Sequence, residues 1–177
     1  MKKIVSSVML FVLLLSLCAC SSEPTLIGTT PTSNPTTEAT EDVSKQEFGL
    51  GDTVELDDVV VSFLDITTST GSDFNKPADG KIFVLCEFEI TNNSPEELAV
   101  SSMLSFEAYC DDYSCDYSVG ALMEKGEKSQ LDGAVASGKK MKGVIGYEVP
   151  TDWKELEIQY TVDILSDDKI VFVATNN

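Results

Sequence analysis

The stretch Val84-Leu-Cys-Glu-Phe-Glu-Ile90 (VLCEFEI) decides the fold. Val84, Cys86, Phe88 and Ile90 fall on one side of an extended chain, and Glu87 and Glu89 on the other. Strict alternation over this length is the signature of a strand with one face in a core and one in water. The same period recurs on either side. In LEIQYTV, Leu156, Ile158, Tyr160 and Val162 share a face. LSFEAYC sets Leu104, Phe106, Ala108 and Cys110 inward, and MKGVIGYEV does so for Met141, Gly143, Ile145, Tyr147 and Val149. VVVSFLDI points Val59, Val61 and Phe63 inward, then slips in phase to Ile66, as a bulge would produce. ELDDVV reads as a hairpin turning at Asp57-Asp58, and TNNSPEEL and VPTDW as turns. TVEL, KIVFVAT and short strands near Leu98 and Leu131–Val135 complete the set, with a helical turn allowed near EKGEK. Seven to nine strands in roughly 130 residues, with no sustained helical period, predict an all-β antiparallel sandwich of two sheets.

Upstream of that region the character changes twice. Met1-Lys2-Lys3 precedes an almost wholly apolar run from Ile4 to Ala19, the charged start and apolar middle of a secretory signal. Leu17-Cys18-Ala19-Cys20 closes the run and resembles the lipobox of bacterial lipoproteins. That resemblance implies cleavage after Ala19 and a diacylglyceryl thioether on Cys20. Two acyl chains hold a protein stably at a bilayer where one does not. Residues 1–19 are thus expected to be a signal peptide, and 20–47, rich in Ser, Thr, Pro and Glu, a disordered tether with too little apolar surface to offset chain entropy. Residues 48–177 form the sandwich.

Charge and composition narrow the function. Twelve Lys+Arg, less the two lysines of the signal, leave ten against 30 Asp+Glu, a mature charge near −20. Nucleic acid and anionic surfaces repel such a body. The chain contains no His and no Arg, which removes Ser/His and Cys/His catalysis, histidine metal sites and the bidentate guanidinium clamp. The expectation is a protein that is not an enzyme and needs no cofactor.

Three blocks carry a family resemblance. GDTVELDDVVVSF resembles the opening hairpin, FNKPADGKIFVLCEFEITNNS the next loop and strand, and LDGAVASGKKMKGVIGYEVP the last strand of a bacterial lipoprotein domain described as telokin-like, the domain of unknown function 4352. The resemblance implies an immunoglobulin-like sandwich on a secreted or lipid-anchored protein, and no chemistry. The family pattern does not call for Cys110 and Cys115, so these are read locally.

In Cys110-Asp-Asp-Tyr-Ser-Cys115, a hairpin with a four-residue loop would set the two cysteines opposite each other, within disulfide reach. Cys86 would then be a buried thiol. A Cys86–Cys110 pair and three free thiols are the alternatives. Asp111, Asp112 and Asp116 are weak candidates for a calcium site, since they lack the glycine and terminal glutamate of the twelve-residue calcium loop. Trp153, the single tryptophan, is expected to lid one end of the core. The sequence therefore predicts a module at the extracytoplasmic face of the cell membrane, held by the lipid on Cys20, that recognises a protein or envelope component. The alternative is an accessory small-ligand or cation-binding lipoprotein beside a membrane transporter.

Overall fold

The computed structural model describes residues 22–29, 46–163 and 167–176. The expected signal peptide, Cys20 and most of the expected tether lie outside these residues. Among the described residues, twelve strands and one helical turn follow in the order β1 (Thr25–Thr29), β2 (Glu47–Phe48), β3 (Asp52–Leu56), β4 (Val59–Ser69), β5 (Lys81–Asn92), β6 (Leu98–Ser101), β7 (Phe106–Cys110), β8 (Tyr113–Ser114), α1 (Val119–Met123), β9 (Asp132–Val135), β10 (Lys139–Pro150), β11 (Glu155–Thr161) and β12 (Lys169–Thr175). One five-stranded sheet has the order β1-β3-β4-β5-β10 and the other β2-β12-β11-β7-β8, with β6-β9 as a small third ribbon. Every pairing is antiparallel except that of β2 with β12.

The alternating residues of the sequence face each other between the sheets. Val84, Cys86, Phe88 and Ile90 from β5 and Leu156, Ile158 and Tyr160 from β11 are fully buried. Phe88 stacks on Phe63 at 4.7 Å within its own sheet and reaches Phe106 and Phe172 of the other at 5.6 and 5.4 Å. Offset and tilted ring pairs of this kind add to the area they bury. The phase slip in β4 is a bulge between Phe63 and Asp65, which leaves Leu64 partly exposed. Asp57 and Asp58 both adopt positive φ, 50° and 61°, the backbone a tight two-residue turn between right-twisted strands requires.

Four expectations need correction. The stretch read as tether carries β1, whose Thr25–Thr29 pairs with β3 along its backbone although all five residues stay exposed. An edge strand needs no buried apolar side chain when ladder hydrogen bonds hold it to its neighbour. Leu104 is exposed and precedes β7, since Ser105 ends the turn that returns to Ser101. The helical turn lies at Val119–Met123, before EKGEK, where Ser118 caps it by accepting the Ala121 N–H at 3.1 Å. Gly146 permits its docking: a Cβ there would come within 2.7 Å of Ala121.

Glu87 is the fourth. It points to the outer face of the first sheet as its alternation requires, but the segment after α1 crosses that face and covers it. Lys128 and Lys142 both pair with its carboxylate, and Lys128 also reaches Asp65 at 3.3 Å. Burial alone would raise the Glu87 pKa; the hydrogen bonds from the two lysines outweigh it and hold the carboxyl below its usual value. A depressed carboxylate stabilises the fold above its unfolded pKa of about 4.3, and the contribution is lost as pH falls through the lower folded value. Acid titration of the melting temperature should therefore show a steeper loss below about pH 4 for the wild type than for Glu87→Gln, which should also be less stable at neutral pH. Phe88→Ala should cost about 3–5 kcal/mol in urea unfolding, because the ring touches both sheets.

Candidate functional site

The β7–β8 hairpin lines a sizeable cleft. Its turn is Asp111-Asp112, with φ of 48° and 69°. Cys110 therefore lies opposite Tyr113 and Tyr109 opposite Ser114. The expected four-residue loop is instead a two-residue one, because adjacent aspartates tolerate the left-handed backbone. This register makes Cys110 and Cys115 diagonal neighbours on one face. Their side chains remain within hydrogen-bonding reach of each other, and Cys86, Cys110 and Cys115 are all free thiols in the structure.

Asp111 fastens the hairpin to the start of β11. One of its carboxylate oxygens accepts the Lys154 and Glu155 backbone N–H groups, each at 3.0 Å. Trp153 beside them is 4 % exposed and joins the core, as a lid over the end of the sandwich. Between the hairpin, the 116–119 segment and the ends of β5 and β10 lies a cleft of about 1020 Å³. Its walls carry six carboxylates, Asp111, Asp112, Asp116, Glu148, Asp152 and Glu155, against Lys81 and Lys154. Tyr113 and Tyr117 supply aromatic faces. A smaller cleft of about 370 Å³ shares Ser114, Cys115, Asp116 and Tyr117 with it and reaches Tyr147.

The electrostatics follow from this crowding. Burial, then the charges of Glu47, Asp112, Glu157 and Asp111, raise the Glu155 pKa. Burial, then Cys115 and Asp111, push the Cys110 thiol up to about 12, and burial also raises Cys115. Both sulfurs are therefore protonated near neutral pH and are poor nucleophiles. No group of three or more Cys, Asp or Glu among the described residues is placed to hold a metal ion. Asp111, Asp112 and Asp116 share the cleft without forming a cage, and Asp111 is already engaged with backbone N–H groups.

A protein-family match described as Domain of unknown function (DUF4352) runs over residues 48–170. The chain belongs to this family. Strands β3 to β11, with the cleft hairpin, fall in the DUF4352 region; β1 precedes it, and β2 and β12 straddle its two ends. Among solved structures the domain is similar to the yjhA protein of Bacillus subtilis, at 15% identity and a TM-score of 0.57, over 73% of this chain and 99% of that one. It is also similar to the candidate lipoprotein ycdA of the same organism, at 20% identity and a TM-score of 0.56. That match covers 67% of this chain but only 37% of the ycdA protein. An uncharacterised β-sandwich protein of Clostridium difficile matches at 17% identity and a TM-score of 0.47, over 77% and 100% of the two chains. No curated protein matches the sequence. At these identities the likeness is one of fold. Among the described residues no helix is long and apolar enough to cross a membrane.

Sequence reasoning found the hairpin and its acids but missed the rest of the cleft. Lys81, Glu148 and Asp152 come from strand ends and turns far apart in the chain, and no local pattern marks them. A disulfide oxidant added to the DUF4352 domain should link Cys110 to Cys115 and leave Cys86 reduced, since Cys86 is wholly buried on another sheet. Mass mapping of unreduced peptides reads the pairing, and a bridge containing Cys86 would contradict the register.

Proposed function

We propose that this protein is a lipid-anchored, extracytoplasmic binding module that recognises a cationic partner in the acidic cleft, the partner being a basic segment of a protein or envelope component. The observation that carries this reading is the concentration of six carboxylates around one concave surface. Burial first, and then neighbouring acids that include Asp112 and Asp111, raise the Glu155 pKa there, and a perturbed carboxyl in a concave surface marks a candidate binding site. Complementary charge would speed encounter and set specificity, and make the affinity dependent on salt. The sequence Leu17-Cys18-Ala19-Cys20 and the likeness to a candidate lipoprotein support the anchor. The absence of His and Arg from the chain, with protonated thiols in the cleft, supports a module that binds without catalysis.

The size of the cleft favours a second reading. A volume near 1020 Å³ suits a small organic ligand as well as a peptide side chain. On this reading the protein is an accessory small-ligand or cation-binding lipoprotein associated with a transporter. Calorimetric titration with an oligolysine peptide and with a linear polyamine separates the two. The peptide should bind measurably at low salt, weaken about tenfold or more as salt is raised to 0.5 M, and lose most of its affinity in Asp112→Asn/Asp152→Asn. Tight binding of the polyamine alone would favour the second reading, and binding of neither would dismiss both.

A further inference from the structure

The strand β1 lies outside the family match, yet it is hydrogen-bonded into the first sheet of the domain. Its direction carries information. Thr25 pairs with Glu55 and Thr29 with Asp52, so the chain enters from the end of the sheet where β3 turns into β4 at Asp57-Asp58. Asn92 and Lys139 lie at that same end, opposite Val59 and each other. The cleft lies at the other end, where Pro150 pairs with Lys81 and Leu156 with Cys110.

We propose that β1 is an orienting strand, which fastens the domain upright on the bilayer with the Asp57-Asp58 end toward the lipid and the acidic cleft facing away. This rests on the reading of Cys20 as the lipid-bearing residue. With β1 docked, only the five steps from Cys20 to Thr25 separate the anchor from the sheet, a reach of about 17 Å at full extension. The same stretch read as a free tether to residue 47 would reach about 90 Å and would fix no orientation. The strand β10, of 12 residues, spans the molecule from the near end to the far one, which sets the cleft roughly 40 Å farther out.

The geometry supplies its own test. A Cβ built on Gly28 would stand 3.9 Å from the Cβ of Thr53, within the ~3.5–4.5 Å that a disulfide requires. In the full-length lipidated protein on anionic vesicles, Gly28→Cys/Thr53→Cys should oxidise to a cross-link between those two positions, resolved from the native cysteines by peptide mapping. Energy transfer from Trp153 to a dansyl-labelled lipid headgroup should be weak. Moving the donor to the near end with Trp153→Phe/Ser137→Trp should raise it several-fold, and adding Thr25→Pro/Leu26→Pro, at adjacent paired positions of which one must turn its N–H toward β3, should shrink the contrast. Vesicle flotation of the wild type against Cys20→Ala checks the anchor separately. If the wild type does not float, the anchor reading fails and the orientation fails with it. If it floats but the cross-link is missing, or Trp153 transfers as strongly as Trp at position 137, the orienting strand alone is overturned.

Discussion

Everything in this domain is arranged about the ring of Phe88. It sits on β5, an inner strand between β4 and β10 of the first sheet, and aromatic contacts run from it both along that sheet to Phe63 and across to Phe106 and Phe172 of the other. Two sheets that touch only through such interdigitated side chains have no covalent link between them. Their relative position is set by how Phe63, Phe88, Phe106 and Phe172 interlock. Aliphatic residues could bury similar area, but fixed ring geometry at 5–6 Å selects one alignment of the layers from many. The cleft depends on that alignment, since its walls are the ends of strands from both sheets.

The fold was legible because it is written in period two. A strand such as β5 states its inner face in four consecutive alternate positions, and the β4 bulge announces itself as a break in the count. What that pattern omits is anything outside the two main interfaces. Glu87 reads as a solvated residue until Lys128 is brought over it from 41 positions away. Similarly, β1 has no buried side chain to advertise it. Its hold on β3 is backbone bonding plus the Thr29 hydroxyl on Asp52 at 2.8 Å. The cleft was legible only in part. Cys110, Asp111, Asp112 and Cys115 stand together in the sequence, whereas Lys81, Glu148 and Asp152 meet them only through the β5–β10 register.

Two tight turns made of adjacent aspartates recur in the domain, at Asp57-Asp58 and Asp111-Asp112, and they serve unlike ends. The first closes a plain hairpin. In the second, the carboxylate of Asp111 is spent on the β11 backbone while Asp112 lines the cleft. One dipeptide thus fixes both the local backbone and part of the charge presented to solvent. At Asp111-Asp112, therefore, the aspartates the backbone needs for turning also line the cleft.

The register slip in β1 between Leu26 and Gly28 has a consequence for how the molecule keeps to itself. A straight outer strand is an invitation to another chain, because its unpaired N–H and C=O groups recur at regular intervals. The strand β3 is straight along its pairing with β4, and β1 covers it with a kinked border that offers no such regular row. Fragments that begin at residue 46 would lack this cover, and the tendency of such fragments to self-associate or fibrillise would be a property of the cut rather than of the protein.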